Sequence, residues 1–186
     1  ESTLGSEHGS GGGAARVVEL PEVDRERYAV GEHVASGGGG RIHVAHDGWL
    51  GRTVAIKRLR PTRERTAQER FVREALLTAR LQHPGIVPVY EAGRWPGGDP
   101  FYAMKLVSGQ PLSKPIAAAR SLAERLALLP HVLDVAEAIA YAHSRGVIHR
   151  DLKPANVLVG KFGETVVIDW GLGKDLGDDA PSERVE

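Results

Sequence analysis

Cysteine is absent from this 186-residue chain, which excludes disulfides and thiolate metal sites and fits a reducing compartment. No uninterrupted apolar run reaches about 18 residues, and no basic-then-apolar leader is present, so the sequence offers neither a transmembrane span nor a signal peptide. An excess of charge is missing as well. Lys+Arg and Asp+Glu both number 24, giving a formal net charge of +0, which argues against a general nucleic-acid binder or a polybasic membrane protein. No G-x-x-x-x-G-K-[ST] occurs, which counts against a P-loop NTPase. The first residue is Glu1 rather than Met, so the chain is expected to be a piece of a longer one. Its length can hold one ordinary domain or two small lobes sharing a cleft.

Residues 1–20 are rich in Gly and Ser, lack periodicity and read as a flexible tail. From Tyr28 short strands begin. Val30 and Val34 lead into Ala35-Ser36-Gly37-Gly38-Gly39-Gly40-Arg41-Ile42, and His43 to His46 continue as strand. Four glycines between two strands make a side-chain-free hairpin whose amides can approach a phosphate. His43 and His46 fall on opposite faces of a strand, so they are not expected to share a metal.

Thr53 to Lys57 reads as the next strand, with Ala55 and Lys57 on one face and Val54 and Ile56 on the other. A helix follows from about Thr66 to Gln82, stopped by His83-Pro84-Gly85. Glu74 shares its face with Leu77, Thr78 and Leu81. An acid on an apolar face is costly unless paired, and Lys57 is the cation on a neighbouring inward face. Ile86 to Tyr90 and Phe101 to Met104 read as two further strands joined by a Gly/Pro-rich turn at Trp95 to Pro100.

Ser121-Leu122-Ala123-Glu124 is a capping-box signature. The helix it opens is expected to run to Ser144, kinked or split at Pro130 and stopped at Gly146. Val132 to Ala142 are apolar on nearly every side, the pattern of a helix buried within a lobe. Only about 40 residues follow Ser144 and none offers another amphipathic helix, so apolar sides of this helix are expected to stay exposed.

The richest stretch is His149-Arg150-Asp151-Leu152-Lys153-Pro154-Ala155-Asn156, followed by two short β-branched runs, Val157 to Val159 and Thr165 to Ile168, and then Asp169-Trp170-Gly171. The runs read as a hairpin turning at Gly160 to Gly163, with Asn156 and Asp169 at its two outer ends. An Asn and an Asp converging there offer hard oxygen ligands of the type Mg²⁺ takes beside phosphate oxygens. Seven specified residues in one octet arise by chance at on the order of 10⁻⁹ per position.

These residues resemble the catalytic loop of eukaryotic-like Ser/Thr protein kinases of bacterial type, and Asp169-Trp170-Gly171 resembles the family's D-F-G, with Trp for Phe. The resemblance covers roughly residues 28–177. It implies an α+β, protein-kinase-like fold: a small antiparallel β-rich N-lobe with one long helix (28–104), a hinge (105–109) and the beginning of a helical C-lobe (110–186) ending after D-W-G. The family's A-P-E motif and peptide-docking helices do not occur in the chain, so a catalytic domain truncated within its activation segment is expected.

The resemblance also assigns roles. Asp151 accepts or orients the proton of a Ser/Thr hydroxyl on a protein substrate, and Lys153 steadies the γ-phosphate of ATP. Asn156 and Asp169 hold Mg²⁺, and Lys57, aligned by Glu74, grips the α- and β-phosphates. The glycine-loop pattern falls on Ala35, Gly37, Gly40 and Ile42, with Ala35 replacing the first glycine; Gly37, Gly38, Gly39 and Gly40 cover the phosphates. Val34, Ile42, Ala55 and Leu158 would enclose the adenine, Met104 would be the gatekeeper, and the backbone of Lys105 to Val107 would bond the base edge. Arg150 implies control by a phosphorylated activation segment. The expected partners are ATP and a protein substrate, without nucleic acid and without a membrane segment in this chain, in a cytoplasmic setting. Two rivals remain: a non-catalytic nucleotide-binding or interaction module, and a small-molecule phosphotransferase, the latter disfavoured by Lys153-Pro154.

Overall fold

The structure, a computed structural model, describes residues 19–37, 40–62 and 64–176. Of the expected 1–20 tail only Glu19 and Leu20 fall within it, and Gly38 and Gly39 lie outside the described residues.

Strand β1 (Tyr28–Gly37) pairs antiparallel with β2 (Gly40–Asp47), closing the glycine hairpin with Gly37 opposite Gly40. Strand β3 (Arg52–Leu59) follows, then helix α1 (Arg65–Ala79), β4 (Val89–Arg94) and β5 (Pro100–Met104). The five strands form one sheet in the order β1-β2-β3-β5-β4, antiparallel throughout. Period-two alternation divides it. Val54, Ile56, Phe101 and Ala103 join Tyr28 and Trp95 in one apolar cluster, while Tyr102 points the other way, onto Phe71 and Ala75 of α1. Phe101 is fully buried and stacks on Trp95 at 3.9 Å between centroids. Burying a side chain of this kind contributes about 1.5–3 kcal/mol.

Two boundaries differ from expectation. Helix α1 ends at Ala79 rather than Gln82, because the Arg80 and Leu81 amides tighten onto Leu77 and Thr78 and swing Leu81 into the core ahead of Pro84. The strand expected from Ile86 begins only at Val89. Pro88 has no N–H to give a ladder, and Ile86 and Val87 pair instead with Val167 of β9 (Thr165–Val167): Val87 N–H reaches the Val167 carbonyl at 3.2 Å.

Beyond Met104 the chain forms β6 (Gly109–Pro111), α2 (Ser113–Ala118), α3 (Leu122–Leu126), α4 (Leu129–Ser144), β7 (Val147–Ile148), β8 (Val157–Gly160), β9 and β10 (Lys174–Asp175). The capping box forms as expected: Ser121 accepts from the Glu124 amide and Glu124 accepts from the Ser121 amide. The long helix does split, with Pro130 in the first turn of α4, where a missing N–H costs nothing. Gly146 stops it at φ +73, the left-handed region that favours glycine. Burial along α4 is narrower than a mid-lobe helix would have. Ala138 and Ala142 are buried, but Val132 is 52% and Leu133 64% exposed, and Leu122, Leu126 and Leu129 extend the exposed apolar face. The buried side of α4 meets Leu77, Leu81, Ile86, Val147, Val167 and Trp170 in a cluster that ties the end of α1 to the second half of the molecule. This is the α+β kinase-like architecture: an antiparallel sheet with its long helix, followed by the start of a helical lobe.

Candidate active site

Lys57, near the end of β3, is 3% exposed, and Glu74, in the middle of α1, is 4% exposed. They form the ion pair expected of them, through Lys57 Nζ and Glu74 Oε1. A second donor completes it: the Tyr102 hydroxyl donates to the same Oε1 at 2.7 Å. Strand pairing sets Tyr102 directly opposite Lys57. Burial, and then the Glu74 charge it faces, push the Tyr102 hydroxyl well above its ordinary value, so it remains a donor. Thr78 anchors the backbone of Glu74 from one turn on, its hydroxyl donating to the Glu74 carbonyl at 2.8 Å. An unpaired ion at this depth would cost several kcal/mol, roughly, which is why both charges come with partners.

The hairpin of β8 and β9 carries the opposite wall. Its register sets Val157 against Val167, and one further rung, Ile168 N–H to the Asn156 carbonyl at 2.9 Å, brings Asn156 and Asp169 side by side at its open end. Asp169 stands at φ +62, a left-handed conformation that costs a non-glycine residue about 1–3 kcal/mol. Its Oδ1 lies 3.7 Å from Lys57 Nζ, which bridges the two walls. Gly37 lies above: a Cβ added there would sit 4.0 Å from Asp169 Oδ2. Gly40 packs so closely that a Cβ would meet the Arg58 carbonyl at 2.9 Å.

In the loop between β7 and β8, Asp151 Oδ2 accepts from Lys153 Nζ at 2.7 Å and from Asn156 Nδ2 at 3.0 Å. The Lys153 hydrogen bond, followed by that of Asn156, holds the Asp151 carboxyl below its ordinary range. His149 supports the loop from beneath. Its Nδ1 accepts from the Asp151 amide at 3.3 Å, which leaves Nε2 to donate to the Ile168 carbonyl at 3.0 Å, and its ring lies 4.6 Å from that of buried Trp170. Arg150, also at φ +62, donates from Nε to the Leu172 carbonyl at 2.6 Å. The two acid-bearing loops are thus joined by His149 and by Arg150.

A cavity of about 650 Å³ lies among these groups, lined by Gly37, Glu74, Asp151, Lys153, Asn156 and Asp169 and reaching Phe71 under α1. Residues expected around a base stand apart from it, on the strands behind. Ala55 is buried and pairs with Met104, Ile42 pairs with Lys57, and Leu158 pairs with Pro111 just past the 105–109 segment. Ile42, Met104, Val107 and Leu158 are half-buried, Val34 is 48% exposed and Lys105 is exposed. The Lys105 N–H is taken by the Pro88 carbonyl at 3.0 Å.

The donor set suits a hard divalent cation that retains other ligands. Asn156 Nδ2 is committed to the Asp151 carbonyl and Oδ2, so its amide oxygen is the atom left to ligate, beside the Asp169 carboxylate. Two protein oxygens with room for phosphate is the pattern Mg²⁺ favours over an all-protein cage. Tyr102 was not foreseen from sequence. Its signal, a tyrosine in cross-strand register with the lysine, exists only once the pairing is known.

A family model described as the protein kinase domain matches residues 28–185. Serine/threonine-protein kinase PknD of Protochlamydia amoebophila is 36% identical over 177 residues, covering 88% of this chain and 18% of that protein. PknD of Chlamydia trachomatis serovar D is 39% identical over 158 residues, covering 78% of this chain and 17% of its own length. The chain thus spans about a fifth of the length of these relatives. With the family model matched over most of its length, and with its paired lysine, catalytic-loop octet and D-W-G carboxylate gathered around one cleft, the chain belongs to the protein kinase domain family.

Proposed function

We propose that this chain forms the nucleotide-binding and catalytic half of a Ser/Thr protein kinase, transferring the γ-phosphoryl group of ATP to a serine or threonine hydroxyl of a protein. The observation that carries the reading is the 3.7 Å approach of Lys57 to Asp169 across the cleft, with Lys57 still seated on Glu74.

In this reading residues 28–104 are the N-lobe, 105–109 the hinge and 110–186 the portion of the C-lobe present. The adenine lies between Ala55 and Ile42 above and Leu158 below, flanked by Val34 and Met104. The carbonyl of Lys105 and the backbone of Val107 meet its polar edge. Gly37 and Gly40 cover the phosphates, and Lys57 neutralises the α- and β-phosphates. Asn156 and Asp169 hold Mg²⁺, which when bound supplies charge neutralisation on the phosphate oxygens.

Asp151 Oδ2 is fixed by Lys153 and Asn156, which leaves Oδ1 to orient the substrate hydroxyl. The hydroxyl oxygen forms its bond to the γ-phosphorus as the bond from that phosphorus to the β–γ bridging oxygen breaks. The hydroxyl proton passes toward Asp151, Lys153 steadies the transferring phosphoryl group, and ADP leaves. Such a reaction is mainly positioning and charge neutralisation, so loss of Lys57 or Asp169 costs far more rate than fold. Among the described residues no helix is long and apolar enough to cross a membrane. A cysteine-free chain using ATP fits a cytoplasmic setting.

The test is the melting temperature with and without Mg²⁺-ATP, with Lys57→Met as control, followed by phosphate incorporation into a Ser/Thr-containing protein. A ligand at about 100 times its Kd stabilises the folded state by about 2.7 kcal/mol. A rise in the native chain that is absent from the variant supports the reading. Equal rises in both, or none, would mean that Lys57 grips no nucleotide.

A further inference from the structure

Alignment of Lys57 depends on where α1 lies, since Glu74 rides on that helix, so whatever fixes α1 also sets the competence of the site. The middle of α1 rests on β5 through Phe71 and Ala75 against Tyr102. Its last turn is held differently. Leu77 and Leu81 enter the cluster shared with α4, and the Arg80 guanidinium, at the very end, pairs with the carboxylate of Asp175, 95 positions further along the chain.

Asp175 is itself tied down. It is 5% exposed, β10 pairs it with Val147 of β7, and the next amide, Leu176 N–H, donates to the Gly146 carbonyl at 2.8 Å. Between Asp169 and Asp175 the chain passes close to α1 at two glycines. A Cβ added at Gly171 would meet Glu74 Oε2 at 3.0 Å, and one added at Gly173 would meet Leu77 Cδ2 at 3.3 Å. A carboxylate at one end of this segment faces Lys57, and one at the other end faces Arg80.

The geometry points to Arg80 and Asp175 as positioning residues: the pair is a clasp by which the strand after D-W-G holds α1, and with it Glu74, in the place where Lys57 is aligned. When β10 peels from β7, Arg80 loses its carboxylate, the last turn of α1 is released, and Lys57 loses its fixed partner. This rests on the phosphoryl-transfer reading for its consequence, though not for its geometry.

The test uses the full-length protein and two readouts on Arg80→Ala, Arg80→Lys, Asp175→Asn and the Arg80→Ala/Asp175→Asn double variant. The first is amide exchange of α1 between residues 70 and 79 without nucleotide, and the second is the split between KM for ATP and kcat. Arg80→Ala and Asp175→Asn should each speed α1 exchange and raise KM for ATP about five-fold or more. Arg80→Lys should recover most of the loss, and the double variant should be no worse than either single one. Unchanged α1 exchange in both single variants overturns the clasp, as does a fall in melting temperature with KM for ATP unmoved. A native protein that neither binds Mg²⁺-ATP nor incorporates phosphate sinks the phosphoryl-transfer reading, and α1 exchange then decides the clasp alone.

Discussion

Replacing Tyr102 by Phe removes one buried oxygen beside Glu74 and nothing else. The ring keeps its place against Phe71, 5.3 Å away between centroids, while Glu74 Oε1 loses its 2.7 Å donor. A hydrogen bond to a charged group contributes about 1.5–3 kcal/mol. Lys57 remains on the same oxygen, so the carboxylate is not orphaned and the loss falls at the lower end, about 1.5 kcal/mol. That is roughly a ten-fold change in the folding constant, and about 3–6 °C in melting temperature for a chain of this size. Urea unfolding at neutral pH measures it directly.

The same experiment has an alkaline arm. The folded-state pKa of Tyr102 is raised, by burial first, from its ordinary 10.0. Above about pH 10 the unfolded chain therefore releases a proton that the folded chain keeps, and stability falls as pH rises. The Phe variant should lose up to about 1.36 kcal/mol less per pH unit in that range. The slope should not vanish, because Tyr28, raised by burial and by its hydrogen bond to Glu91, titrates the same way in both proteins. A variant equal to the native chain within about 0.5 kcal/mol, with the same alkaline slope, would refute the argument and leave Lys57 as the sole support of the Glu74 charge.

Other outcomes follow from the same geometry. Lys153→Met removes the first cause of the lowered Asp151 pKa, so the acid limb of kcat/KM should move to higher pH as the rate falls; a limb that stays put assigns it to another group. Gly171→Ala sets a methyl 3.0 Å from Glu74 Oε2, which Lys57 and Tyr102 prevent from retreating. It should destabilise by about 1–3 kcal/mol and raise KM for ATP, whereas a silent substitution would show that the carboxylate can shift freely.

Many of the residues that the structure gathers round the cleft were legible because they sit in dense local patterns. The octet from His149 to Asn156, the Ser121 to Glu124 box and the periodicity that put Glu74 on the inner face of α1 are all read within a few residues. Features built by distant pairing were not. β7 and β10 are two residues each and exist only by finding one another. Tyr102 meets Lys57 through a register that no short window contains. α2 begins Ser113-Lys114-Pro115, where a proline in the first turn is compatible with a helix yet reads as a breaker. In α4 the apolar residues on nearly every side marked a helix in want of cover, and the shortage of chain after Ser144 marked some of them to stay exposed, as Val132 and Leu133 are.

The two walls of the cleft differ in kind. Asn156 and Asp169 leave the same short hairpin, locked by the Ile168 to Asn156 rung, so their spacing is a property of one rigid piece. Lys57 arrives from the five-stranded sheet, and its 3.7 Å gap to Asp169 is one measure of how closely the pieces approach. The arrangement works like a caliper with one solid jaw. Any rotation of the sheet against the hairpin changes the lysine-to-aspartate gap and leaves the span from Asn156 to Asp169 constant.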